Sequence, residues 1–179
     1  QKIMLDGGFT CPNRDGKCGT GGCIYCGERG AGEHIDSTLS IRAQVEKALL
    51  NSKKGDKFIA YFQNFTNTYA DIETLRARYD AALIDERIKI LAIGTRPDCI
   101  DEVIADLIAT YNKEREVWVE LGLQTASDVT AKIINRGYTT DVFLRAIKIL
   151  ASRKVKTVVH LMIGLPGEGD AELADTVKL

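Results

Sequence analysis

The sequence predicts an α/β fold in which repeated strand–helix units wind into a partial parallel (β/α) barrel. Apolar, β-branched runs begin roughly 30 residues apart along the chain, which is the usual size of a βα unit. Amphipathic stretches separate these runs. Such alternation winds right-handed into a parallel sheet with helices on its outer side.

Near-continuous apolar runs are typical of strands that are buried on both faces of a parallel sheet. Runs of this kind predict five strands, at residues 3–5, 57–63, 89–94, 117–123 and 155–164. The first run is short, as expected of the end of a longer strand. Five strands do not close an eight-stranded barrel, so we expect an open or partial barrel that stops before a sixth strand.

Helices are predicted between the strands. The clearest one has apolar residues at the helical spacing i, i+3, i+4 and i+7, namely Phe143, Ala146, Ile147 and Leu150. Capping residues followed by acidic side chains predict helix starts near Asp101, Ser127 and Thr139.

The composition is ordinary for a globular domain, with 45% hydrophobic and 27% charged residues in 179. The net charge of −1 provides no basic field for nucleic acid or membrane. Because Gln1 is not an initiator residue and a predicted helix reaches Leu179, we expect residues 1–179 to form one domain, the N-terminal portion of a longer protein. An odd number of cysteines, five, suits a metal in a reducing compartment better than disulfides, so a cytoplasmic location is expected.

Polar motifs follow four of the predicted strands, at residues 63–69, 95–98, 124–125 and 165–168. In a parallel sheet all of them fall at the carboxyl ends of the strands, which is the edge where α/β folds place their sites. The glycine-rich segment FTCPNRDGKCGTGGCIYC follows the first strand and opens on the same edge. We therefore expect one site to be assembled from five separate segments.

The cysteines of this segment have the spacing Cys11-x11-Cys23-x2-Cys26. Three thiolates can hold three irons of a [4Fe–4S] cluster and leave the fourth open to a ligand. Tyr25 is placed to lie against a flat ligand ring. Counting Cys18 gives four cysteines, so a closed zinc site and plain thiols remain alternatives to the three-cysteine cluster.

The sequence resembles radical S-adenosylmethionine (SAM) enzymes, and within that superfamily the YhcC/YtqA-like subfamily. These proteins are distantly similar to the oxygen-independent coproporphyrinogen oxidases and to the Elongator catalytic core. The segments that carry the resemblance span nearly the whole chain: DGGFTCPNRDG, GTGGCIYCGERG, YFQNFTNTYA, IGTRPDC, WVELGLQT, INRGYT and HLMIGLPGE.

The resemblance implies a radical SAM core with a [4Fe–4S] cluster on Cys11, Cys23 and Cys26, and makes Cys18 a bystander. It implies reductive cleavage of SAM to a 5′-deoxyadenosyl radical that takes hydrogen from a substrate. It further implies an electron donor such as flavodoxin or ferredoxin, and a substrate such as the wobble uridine side chain of tRNA. The alternative is a zinc- or iron–sulfur-bearing binding module without catalysis.

The resemblance also implies which residues contact SAM. Beside Tyr25 these are strand-end residues and their neighbours: Gln63, Asn64, Thr95, Arg96, Gln124, Arg136 (toward the carboxylate), His160 (toward the ribose) and Leu165 (beside adenine). Each has a structural alternative. Arg136 could cap its own helix, Gln124 could satisfy strand-end backbone, and His160 could be a core residue. Glu120 lies in an apolar strand and needs a partner, for which Arg96 is a candidate.

Overall fold

The strands pair in the order in which they occur in the sequence. The computed structural model describes residues 1–30, 32, 35–50, 52–53 and 55–179. Its strands are β1 (Lys2–Leu5), β2 (Phe58–Phe62), β3 (Ile88–Thr95), β4 (Glu116–Gln124) and β5 (Lys156–Leu161). All neighbouring pairs are parallel, in the order β1-β2-β3-β4-β5. The prediction of five parallel strands in an open sheet is confirmed.

Six helices occur in the described part of the chain. They are α1 (Ile41–Leu49), α2 (Ile72–Ala82), α3 (Glu102–Tyr111), α4 (Asp128–Ile133), α5 (Thr140–Ser152) and α6 (Asp170–Lys178). A single 3₁₀ turn, Pro97–Cys99, follows β3. None of the described helices is long and apolar enough to cross a bilayer.

The predicted helix starts occur at their capping residues. The Asp101 carboxylate accepts a hydrogen bond from the Ile104 amide at 2.8 Å, and the Ser127 hydroxyl accepts one from the Thr130 amide at 3.2 Å. At the start of α5 the cap comes from another element, because Asp128 rather than Thr139 accepts the Thr140 amide at 2.8 Å.

One face of the sheet packs against the helices and forms the core. It presents alternate strand residues such as Leu5, Phe62, Leu91, Ile93 and Leu121 to buried residues of α1, α2, α3 and α5. Because side chains alternate along a strand, the residues between them face the concave interior. That interior face carries Tyr61 on β2, Glu120 on β4 and His160 on β5, and it forms the floor of the site.

Candidate iron–sulfur and cofactor site

The loop after β1 folds back over the carboxyl edge of the sheet. Gly21 and Gly22 both have φ 78°, the left-handed region that favours glycine, and the Gly22 amide donates to the Asn13 carbonyl at 2.8 Å. The Arg14 guanidinium closes the loop by donating to the carbonyls of Cys26 (3.3 Å) and Glu28 (3.0 Å). These bonds bring the cysteines together over the strand ends.

Cys11, Cys23 and Cys26 line a single cavity of about 230 Å³ at this edge. The Cys23 and Cys26 thiols are hydrogen-bonded to one another, and that bond, with others from Tyr25 and Asn13, lowers the pKa of Cys23. A lowered pKa favours the thiolate, which is the form that binds metal. The same hydrogen bond, together with burial, raises the pKa of Cys26, so the negative charge of this pair lies on Cys23. The three side chains therefore share a location, and Cys23 is the one whose surroundings favour the thiolate.

Cys18 lies apart from this group. Its side chain is exposed, its Sγ is 3.6 Å from Arg96 Nη2 and 4.0 Å from Asp98 Oδ2, and it lies outside the cavity lining. Among the residues described, no three His, Cys, Asp or Glu side chains converge tightly enough for one metal ion. A cluster binds each thiolate to a different iron, so the arrangement fits a three-cysteine [4Fe–4S] cluster better than a single zinc ion.

The structure brings six of the nine predicted SAM contacts into the same cavity as the three cysteines. These six are Tyr25, Gln63, Thr95, Arg96, Gln124 and His160. They come from the cysteine loop and from the ends of β2, β3, β4 and β5, as expected for a parallel sheet.

A bulge aims Gln124 into the cavity. The pairing of β4 with β5 is irregular between Gly122 and Gln124, and Gln124 has a left-handed φ of 65°. Bulges commonly re-aim a side chain beside an active site. A Cβ at Gly122 would lie 2.6 Å from Gln124 Nε2, so the glycine makes room for the amide. A glycine inside a strand was the sequence signal for this close approach.

Asn64, Arg136 and Leu165 lie outside the cavity lining. Asn64 is buried and donates to Asp6 Oδ2 at 3.0 Å. Leu165 is buried beyond the end of β5. The structure does not bring these two side chains into the cavity, and their contacts with SAM stay predictions.

Arg136 is fully buried and bonded to backbone. Its Nη1 donates to the carbonyls of Leu123 and Thr125, both at 2.6 Å, and its Nε donates to the Tyr138 carbonyl at 3.0 Å. Its Nη2 lies 3.2 Å from Asp128 Oδ1. This geometry satisfies the carbonyls at the end of β4 and differs from the helix-capping alternative. The contact of Arg136 with the SAM carboxylate stays a prediction.

Arg96 is not the partner of Glu120. Its Nε and Nη2 bind the two oxygens of Asp98 at 2.9 and 2.8 Å, and its Nη1 donates to the Arg136 carbonyl at 2.9 Å. The side chain follows β3 and turns back onto the 3₁₀ turn that holds Asp98. The sequence-based pairing was wrong because Arg96 lies at the strand end, whereas Glu120 lies lower on the interior face.

Glu120 is instead paired with side chains of two other strands. Its Oε2 is 2.8 Å from His160 Nε2 and its Oε1 is 3.3 Å from Lys2 Nζ, while only 3% of the side chain is exposed. Burial raises the pKa of Glu120, but hydrogen bonds from Tyr61 and His160 and the charge of Lys2 outweigh it, so the pKa is lowered overall. Glu120 is therefore an anion on the cavity floor, and His160 is oriented by it.

We expect Glu120→Gln to destabilise the fold in a pH-dependent way. A folded-state pKa below the unfolded value of about 4.3 stabilises the protein above that pH, and this contribution is lost as the pH falls through the folded pKa. Urea unfolding should show the variant less stable than the native protein at pH 7, with the difference narrowing toward pH 3. Glu46→Gln, which removes the exposed Arg42–Glu46 pair, serves as the control. A stability difference between Glu120→Gln and the native protein that does not change with pH would contradict the assignment of Glu120 as a buried anion.

Sequence reasoning missed Tyr61, Tyr138 and Thr66 as cavity residues. Tyr61 alternates with the core residue Phe62 and so faces the interior. The Tyr138 hydroxyl donates to the Gly122 carbonyl at 2.6 Å. Thr66 is buried, and its Oγ1 has no hydrogen-bond partner within the described part of the chain. Only strand alternation could have revealed Tyr61. Thr66 belongs to the polar motif at residues 63–69, which marks this edge without singling it out, and no sequence signal pointed to Tyr138.

Comparison with known proteins decides the family. The sequence model described as "Radical SAM superfamily" matches residues 14–179. The chain belongs to the radical SAM superfamily. The predictions of this family and of an enzyme of this superfamily are thereby confirmed.

Two named proteins of the radical SAM superfamily are similar in sequence to this chain. Protein YhcC of Escherichia coli (strain K12) is 40% identical over 99% of this chain and 58% of its own length. YtqA of Bacillus subtilis (strain 168), an uncharacterized protein, is 36% identical over 99% of this chain and 56% of its own length. The chain thus spans less than two thirds of these curated relatives.

More distant matches include a tRNA-modifying enzyme and two solved structures. The tRNA-2-methylthio-N(6)-dimethylallyladenosine synthase of Desulforamulus reducens is 28% identical over 70% of this chain and 27% of its own length. Elp3 of Methanocaldococcus infernus superposes with a TM-score of 0.64 at 20% identity, covering 99% of this chain and 40% of Elp3. Coproporphyrinogen III oxidase (HemN) of Escherichia coli gives 0.63 at 13% identity, with 99% and 40% covered. Both structures show a shared fold.

Proposed function

We propose that this radical SAM chain holds a [4Fe–4S] cluster on Cys11, Cys23 and Cys26 and binds SAM in the adjoining cavity. The cluster supplies the electron that splits SAM reductively, giving a 5′-deoxyadenosyl radical that removes hydrogen from a substrate. The observation that carries the proposal is the single cavity shared by the three thiols and six of the predicted SAM contacts. We take residues 1–179 as the core domain of the enzyme.

The residues around the cavity suggest how SAM is oriented. Tyr25, adjacent in sequence to Cys26, offers an aromatic face beside the cluster site. Gln124, aimed inward by its bulge, offers amide hydrogen bonds. His160 has its Nε2 engaged by Glu120, which leaves Nδ1 for a ribose hydroxyl. Gln63, Thr95 and Arg96 complete the proposed contacts within the cavity, while the contacts of Asn64, Arg136 and Leu165, which lie outside its lining, stay predictions.

The proposed chemistry requires partners. A cluster of this kind needs a low-potential electron donor such as flavodoxin or ferredoxin, and an open iron persists best in a reducing compartment such as the cytoplasm. A tRNA substrate, with the wobble uridine side chain as the acceptor, is supported by the similarity to a tRNA-modifying synthase. The net charge of −1 means that this chain supplies little general electrostatic attraction for RNA.

Anaerobic reconstitution of the whole protein tests the proposed chemistry. We expect about four irons per chain and, after reduction, formation of 5′-deoxyadenosine from SAM measured by chromatography. Binding of zinc without SAM cleavage would instead support a binding module. The proposed substrate is tested separately, by looking in a deletion strain for a modified tRNA nucleoside that is lost and then restored by the intact gene.

A further inference from the structure

Asn13 lies directly beside one of the proposed cluster ligands, in a site that is closed to solvent. Its side chain is fully buried, and its Nδ2 is 3.6 Å from the Sγ of Cys23. The same Nδ2 donates to the backbone carbonyl of Asn135 at 2.6 Å. An amide nitrogen carries two hydrogens, so one is directed to the carbonyl and the other to the sulfur.

The orientation of this amide is determined by its surroundings. If the amide were flipped, its oxygen would lie 2.6 Å from the Asn135 carbonyl oxygen and would face the Cys23 sulfur, so it would meet two acceptors and no donor. The nitrogen is therefore the atom that faces Cys23. The oxygen, Oδ1, is buried without a hydrogen-bond partner among the described residues. Burial of an unpaired acceptor is unfavourable, and it is the energetic cost of this orientation.

The amide is also held in place by close backbone contacts. A Cβ at Gly19 would lie 2.1 Å from Asn13 Oδ1, and one at Gly137 would lie 3.2 Å from it. Asn135, with a left-handed φ of 53°, donates through its own side chain to the Gly22 carbonyl at 2.7 Å. The segment after α4 is therefore bound to the cysteine loop both at Asn13 and at Gly22.

We propose that Asn13 is a positioning residue that raises the reduction potential of the cluster through an N–H···S hydrogen bond to Cys23. The inference rests on the proposed function, because it requires a cluster on Cys23. Hydrogen bonds to ligand sulfurs are one of the factors that set cluster potentials. A donor at the sulfur stabilises the extra negative charge of the reduced cluster, which makes reduction by the electron donor easier.

The test compares Asn13→Leu with Asn135→Gly in the reconstituted whole protein, using redox titrations followed by electron paramagnetic resonance. Asn13→Leu removes the donor at similar volume. Asn135→Gly removes the side-chain hydrogen bond to the Gly22 carbonyl. It keeps the left-handed backbone and the Asn135 carbonyl that accepts from Asn13. We expect Asn13→Leu to make the midpoint potential more negative by about 59 mV, a tenfold change in a one-electron equilibrium, and Asn135→Gly to leave it unchanged.

Equal shifts in both variants, or no shift in Asn13→Leu, would overturn the proposal. If Asn13→Leu assembles no cluster, Asn13→Ala, which also lacks a side-chain donor, is titrated in its place. In addition, native protein containing ¹⁵N-asparagine should show a nitrogen weakly coupled to the reduced cluster, and absence of that coupling would also overturn the proposal. If the native protein itself assembles no cluster, the proposed function fails instead.

Discussion

Replacing Cys23 by alanine should abolish both cluster assembly and SAM cleavage. Cys23 is the most enclosed of the three cavity thiols, and its lowered pKa favours the thiolate that binds iron. With only two thiolates left in the cavity, the cluster loses a third of its protein ligands. We expect iron to fall well below the native content and 5′-deoxyadenosine formation to fall by at least about 100-fold, the upper range seen when even supporting groups of metal sites are removed.

Cys18→Ser is the matched control for this experiment. Cys18 belongs to the same loop but is exposed and lies outside the cavity lining, close to Asp98 and Arg96. We expect this variant to keep the native iron content and the native rate of SAM cleavage. Loss of metal in Cys18→Ser together with retention in Cys23→Ala would reverse the ligand assignment and revive a four-cysteine site.

Replacing Arg136 by methionine should strongly destabilise the fold. The guanidinium is fully buried and satisfies the carbonyls of Leu123, Thr125 and Tyr138 as well as pairing with Asp128. Methionine fills much of the volume but donates no hydrogen bonds, so the Thr125 and Tyr138 carbonyls lose the donor that Arg136 supplies, and Leu123 keeps only the Thr125 amide. Breaking such a buried network costs about 3–5 kcal/mol of unfolding free energy, which urea denaturation measures.

Arg42→Met provides the matched control for Arg136→Met. Arg42 makes an exposed i,i+4 pair with Glu46, and such helix pairs contribute only about 0.3–0.5 kcal/mol. The comparison also distinguishes the two roles considered for Arg136. A variant that keeps its stability but loses affinity for SAM would restore the carboxylate contact that the family resemblance implies.

Much of the fold was predictable because it depends on local spacing. The runs that became β2, β3 and β4 are marked by apolar, β-branched residues, and each observed strand lies within a few residues of its predicted bounds. The end of β5 was extended too far, to residue 164, whereas the strand ends at Leu161 and Gly164 has a left-handed φ of 81°. Hydrophobic spacing does not mark the point at which an exposed edge strand stops pairing.

The candidate site was predictable where chain direction alone places a residue. Gln63, Thr95 and Gln124 follow strands of a parallel sheet, so their positions at one edge follow from topology. Arg136 follows a short helix instead, and the sequence does not state whether its guanidinium turns toward the cavity or toward the carbonyls at the end of β4. The direction of the guanidinium depends on where the backbone carbonyl oxygens of Thr125 and Tyr138 lie in the folded structure.

The sequence by itself therefore determined the β/α order, the edge at which the site forms and the three cysteines proposed to hold iron. Only the tertiary structure decided that Glu120 pairs with Lys2 and His160 rather than Arg96, and that Asn13 directs its amide to Cys23. The physical reason is that strands and caps are marked by the local pattern of residue types along the chain. Pairing of buried charges and amides depends on groups 10 to 118 residues apart, whose meeting is set by packing.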